Sequence, residues 1–107
     1  INMKIPQKLK VATHNYYVSL VNGKDTEKRN NNWGITDLQL LRILIDRDIP
    51  QSRQDEVFLH ELLHTCFHES GLDRDLDDEK TDITSEDVIT RLSPVLIMVL
   101  KDNKLLR

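Results

Sequence analysis

A chain of 107 residues with 38% hydrophobic content has the size of one domain and a modest core, so a second domain is not expected. Its 15 Lys and Arg against 18 Asp and Glu give a net charge of -3, which excludes a general electrostatic attraction to nucleic acid or to an anionic membrane. The single cysteine, Cys66, rules out an internal disulfide, and the longest apolar run, Val95 to Leu100, is far too short to cross a bilayer. Ile1-Asn2-Met3-Lys4 lacks the charged-then-apolar layout of a secretory signal. The cytoplasm is therefore the expected location, with Met3 as the natural start and Ile1 and Asn2 as added residues.

Lys8 to Val21 predicts two β-strands. The first ends at Val11, Thr13-His14-Asn15 supplies a turn, and Tyr16 to Val21 brings aromatic and β-branched residues to the second. Asn22-Gly23 breaks the pattern, and the polar stretch Lys24 to Asn32, ending in three asparagines, reads as a mobile loop. Trp33-Gly34 reopens order, and Leu38 to Ile45 reads as one strand stopped by Asp48-Ile49-Pro50. Ser52 with Asp55 three residues on has the form of a capping box, opening a helix from about Arg53 to Glu69 that Gly71 closes. Asp73 to Asp82 is acidic enough to be a solvated connection. A last helix is expected from Thr84, capped with Asp87 at N3. Its apolar stripe would be Val88, Ile89, Leu92, Val95, Leu96 and Val99, with Pro94 kinking it or dividing it in two.

His60-Glu61-Leu62-Leu63-His64 lies inside the first of these helices and carries chemistry. Two histidines four apart on a helix project from nearly one face, about 6 Å apart along the axis, so both imidazoles can reach one metal ion. Zinc accepts neutral imidazole nitrogen, and with three protein ligands it leaves a position open for water. Glu61 stands beside that position, where a carboxylate can take the proton of the attacking water and pass it to a leaving amine. The competing explanation is a buried helix whose histidines only hydrogen-bond, at the cost of burying two imidazoles and a carboxylate without a metal.

Val57-x-x-His60-Glu61-Leu62-Leu63-His64, preceded by strands and followed by a helix, resembles the zincin metallopeptidases. More narrowly, the chain is similar to small HExxH proteins of phages and mobile elements, related to the ImmA/IrrE-type repressor-cleaving metallopeptidases. The softer matches are Lys4 to Val11 before Tyr16-x-Val18, Trp33-Gly34 before Leu40 to Asp46, and Val99 to Asn103. The resemblance implies a single zincin-like α+β domain over residues 1–107. Its small antiparallel or mixed sheet, of about three strands, would pack on the HExxH helix and a C-terminal helix. The strand at about Leu41 to Asp46 would be an edge that lies over the active-site helix and can pair with an extended substrate.

Phe67 and Ser70 occupy the positions where the metzincin pattern needs glycine and a third histidine, which excludes that class. Gluzincin-like relatives take a glutamate from the following helix, which points to Glu86, 22 residues after His64, with Asp87, His68, Asp82 and the acidic loop as alternatives. The expected activity is zinc-dependent hydrolysis of a peptide bond in a protein or peptide substrate, such as a regulatory protein, with Glu61 as base and His60, His64 and Glu86 on Zn2+. The alternatives are a non-catalytic zinc-binding module acting on a host or phage regulator, and an inactive relative. Neither nucleic acid nor membrane is expected as a partner.

Other signals carry less. Asp73-x-Asp75-x-Asp77 opens like a calcium loop, but Asp78 and Thr84 stand where glycine and glutamate are needed. Its carboxylates could instead orient a ligand histidine. Cys66 is expected in the core and His14 on the surface, and Tyr16, Tyr17 and Trp33 are candidate donors to a developing oxyanion.

Overall fold

The computed structural model describes residues 3–30, 33–78 and 80–106, and of residues 27–30 the backbone alone. Ile1 and Asn2, read as added residues, and Asn31 and Asn32 of the asparagine run lie outside the described residues.

Period-two burial begins at Lys8. Strands β1 (Lys8–Val11) and β2 (His14–Val21) pair antiparallel, with Leu9 opposite Tyr16, around a tight turn in which Ala12 takes a φ of 55°. Tyr16 and Val18 point inward and Tyr17 and Ser19 outward, as alternation along a half-buried strand requires.

The polar stretch after β2 is a helix, α1 (Gly23–Asn30), where the sequence suggested a mobile loop. Its start is fixed locally: Asn22 Oδ1 accepts from the Lys24 N–H, and the Asn22 carbonyl accepts from the Asp25 N–H. Thr26, fully buried, donates its hydroxyl to the Gly23 carbonyl. One buried threonine seats this otherwise polar helix, which is why hydrophobic periodicity did not reveal it.

The segment expected as one strand over Leu38 to Ile45 is the turn and second arm of a hairpin, β3 (Gly34–Asp37) and β4 (Arg42–Asp46). Asp37 Oδ1 accepts from the N–H groups of Gln39 and Leu40, and Leu41 adopts φ 56°, so the chain reverses without glycine or proline. The sheet order is β1-β2-β4-β3, with β2 and β4 parallel and the outer pairs antiparallel. It thus has four strands instead of about three. Its edges are β1 and β3, and β4, expected at the edge, is interior.

Helix α2 (Gln51–Ser70) packs under the sheet, where Phe58 joins Val18, Ile43 and Ile45 in the core and Val57 and Leu62 flank them. The expected Ser52–Asp55 capping box is absent. The helix begins after Pro50, and Asp55 is fully buried, accepting from the Met3 N–H and Gln51 Nε2 and pairing with Lys101 Nζ at 2.9 Å. Gly71 closes the helix at φ 82°, as expected. Cys66 is exposed and not in the core.

The acidic connection contains a short helix, α3 (Leu72–Leu76), before α4 (Ser85–Asp102). Thr84 and Asp87 form the expected capping box, and α4 runs through Pro94 as one helix. Its buried positions are Ser85, Ile89, Ser93 and Ile97; of the apolar stripe expected from the sequence, Leu92, Val95 and Val99 are exposed. No helix among the described residues is long and apolar enough to cross a membrane.

Two stability predictions follow from buried polar groups. Lys101→Ala should destabilise the protein by about 2 kcal/mol in chemical denaturation, because it leaves the Asp55 carboxylate buried with amide donors only. Tyr16 donates to Glu69 Oε1 at 2.8 Å, and burial first, then that bond and the carboxylate's charge, push its phenol well above the ordinary value. The fold therefore favours the neutral phenol. Its contribution is complete below the ordinary tyrosine pKa of about 10 and is lost as pH rises past it toward the folded value. Tyr16→Phe should flatten the alkaline fall in stability seen by circular dichroism.

Candidate metal centre

His60 and His64 sit one turn apart on α2, and both Nε2 atoms point toward the first turn of α4. That turn is held by side chains on both sides. Thr84 Oγ1 accepts from the Asp87 N–H, Asp87 Oδ2 accepts from the Thr84 N–H, and Asp77 accepts from both the N–H and the hydroxyl of Ser85. The backbone donor at Thr84, with the Thr84 side chain second, keeps the Asp87 carboxyl below the usual range. Asp87 is thereby committed to the cap, and Glu86, its neighbour, faces the histidines.

The resulting contacts are close. Glu86 Oε2 lies 2.7 Å from His64 Nε2, Glu86 Oε1 lies 3.2 Å from His60 Nε2, and the two Nε2 atoms are 3.3 Å apart. Thr90 donates its hydroxyl to Glu86 Oε1 at 3.2 Å, a second hold on the carboxylate. Ligand atoms about 2.0–2.1 Å from one tetrahedral zinc stand about 3.3 Å from each other, close to the spacings of these three. Convergence of two ring nitrogens and a carboxylate suits a cation, because two imidazole nitrogens at that separation can share only one proton between them. His60, His64 and Glu86 can therefore hold a metal ion. The histidine side chains are 24% and 25% exposed and that of Glu86 59%, so solvent reaches the group from the α4 side.

Glu61 is buried beside this group. Thr36 of β3 donates its hydroxyl to Glu61 Oε2 at 2.6 Å, tying the carboxylate to the edge strand. The strand comes that close because position 34 is glycine: a Cβ there would lie 2.3 Å from Val57 Cγ1 and 3.2 Å from Glu61 Cγ. Two cavities, of about 290 and 250 Å³, adjoin the group, and Gly34, His60, Glu61 and Glu86 line both. The larger extends to Trp33 and Arg53, whose guanidinium lies 4.9 Å from the indole centroid. The smaller follows β3 through Thr36 to Leu38.

The other candidates lie elsewhere. His68 Nδ1 is 2.8 Å from Asp73 Oδ2, one turn beyond the cluster, and Asp82 is exposed in the connection. The carboxylates of the acidic segment hold Ser85 and His68, not His60 or His64. Tyr16 is committed to Glu69 and Tyr17 is exposed, whereas Trp33 lines the larger cavity. Sequence reasoning missed Thr36 and Gly34, since nothing marked β3 as a strand. The sign available was Gly34 itself, an isolated glycine in a strand-forming stretch, which often marks close backbone approach.

The chain matches no protein-family model, no curated protein and no solved structure. Its own geometry carries the functional reading, and metal titration checks it directly. The protein dialysed free of metal should take up one divalent metal ion per chain. His64→Ala and Glu86→Ala should weaken uptake by more than about a hundredfold, whereas Asp87→Ala and His68→Ala should leave it within about threefold. The bound ion at a hundred times its dissociation constant should stabilise the wild type by about 2.7 kcal/mol in thermal unfolding.

Proposed function

We propose that the protein is a single-zinc peptidase of gluzincin-like type, allied to the ImmA/IrrE-type metallopeptidases, that cuts an extended segment of a protein partner. The observation that carries this reading is the placement of Glu61, the glutamate of the HExxH motif, in the lining of two cavities that adjoin the His60–His64–Glu86 group, beside edge strand β3. Zinc bound there supplies a Lewis acid that polarises the scissile carbonyl and makes water a stronger acid. Glu61 acts as general base: its carboxylate takes a proton from the attacking water and delivers it to the amine nitrogen as the C–N bond breaks. Thr36 is a positioning residue. By holding one oxygen it leaves the other aimed at the cavity.

Strand β3 stands at one end of the strand order, beside β4, where an extended peptide would add as a further strand. Such a peptide would run past Glu61 and lay a side chain toward Trp33 and Val57 in the larger cavity. The single cysteine supports action in a reducing compartment, the cytoplasm.

A random-sequence peptide library read by mass spectrometry tests the activity in the presence of zinc. Glu61→Gln should keep the metal and the fold and lose hydrolysis by at least about a thousandfold; undiminished cleavage in that variant would refute the mechanism. Thr36→Val should lower kcat about tenfold with little change in KM, and Thr36→Ser should restore it, since one charge-assisted hydrogen bond is lost and regained. Zinc binding without cleavage of any peptide by the wild type would favour the non-catalytic binding module.

A further inference from the structure

Helix α4 has a second face that the metal centre does not use. Ile89, Ser93 and Ile97 are buried, and Glu86, Thr90 and Pro94 line the larger cavity. On the opposite side Arg91, Val95, Met98 and Asp102 follow one another at spacings of four, three and four residues, within about 60° of arc on a helix of 3.6 residues per turn. All four are exposed, Val95 at 58% and Met98 at 60%, and Leu92 and Val99 extend the apolar area on one shoulder at 42% and 46%. Apolar side chains grouped this way on one helix face mark an association surface, whereas single exposed ones do not.

We propose that this face joins two copies of the chain through antiparallel α4 helices related by a two-fold axis. The stripe is complementary to its own reverse. Turned end for end, Arg91 of one copy faces Asp102 of the second, Val95 faces Met98, Met98 faces Val95 and Asp102 faces Arg91. An isologous interface needs such self-matching, with opposite charges at the two ends of one apolar stripe, and a one-sided partner does not. Four-three-four spacing also keeps the stripe on one line along the helix, as close antiparallel packing requires. Glu86, Thr90 and Pro94, which line the larger cavity, lie on the flank of the stripe away from Leu92 and Val99, so pairing through Arg91, Val95, Met98 and Asp102 does not rest on the peptidase reading.

Sedimentation velocity over a concentration series, from low micromolar to several hundred micromolar, tests the pairing. The wild type should show a reversible monomer–dimer equilibrium. Val95→Glu should be monomeric throughout, Arg91→Glu should raise the dimer dissociation constant about tenfold, and Arg91→Glu with Asp102→Arg should bring it back to near the wild-type value. Zinc content and far-ultraviolet circular dichroism, unchanged in all three variants, establish that they are folded. A wild type that stays monomeric throughout, or a double variant no better than the single one, would overturn the proposal.

Discussion

The antiparallel clamp between α2 and α4 is the constraint on which the rest of the molecule depends. It is fastened at two separated points. Near the start of α2 the buried Asp55 takes Lys101 from the last turn of α4, and near its middle His60 and His64 meet Glu86 from the first turn. Buried Ile89 and Ile97 fill the length between. A helix held at both ends cannot slide by a turn without leaving Asp55 buried beside no cation, so the register that sets Glu86 opposite the histidines follows from the stability of the fold.

The sheet adds the second half of the centre. Val18, Ile43 and Ile45 press on Phe58, and this apolar contact fixes how α2 lies under the strands. At the β3 edge the contact changes character. Gly34 has no side chain to hold β3 off the helix, and the strand descends until Thr36 reaches Glu61. Glu61 is thus held from the sheet and the His60–His64–Glu86 group from the helix pair, and the two meet along one line of α2. This arrangement keeps Glu61 buried and still lining both cavities.

The carboxylates of this acidic chain divide into separate tasks. Asp77 and Asp87 satisfy the orphan donors at the start of α4, Asp55 neutralises Lys101, Glu69 receives the Tyr16 hydroxyl, and Glu86 alone among those of α4 faces the histidines. Capping decides between Glu86 and Asp87, because the N3 position bends back toward Thr84 while N2 projects across the helix pair. The same helix carries apolar side chains on more than one side, which is why only part of the expected stripe is buried: Ile89 is buried and Val88 and Leu96 half-buried, Leu92, Val95 and Val99 are exposed, and the small polar Ser93 takes a buried position.

Local chemistry alone determined several features. Helical spacing brought His60 and His64 to one side, Gly71 ended α2 where only glycine takes the left-handed conformation easily, and Thr84 with Asp87 began α4. Each depends on residues within a turn or two of one another, so the sequence contains the whole interaction. Only the tertiary structure decided that Asp55 leaves its expected cap for Lys101, that Thr26 seats a helix in a polar stretch, that β3 and not β4 forms the edge, and that Thr36 holds Glu61. In these cases the partner lies far along the chain or on another layer. The free energy that fixes the side chain comes from burial and close approach between elements, which no local pattern records.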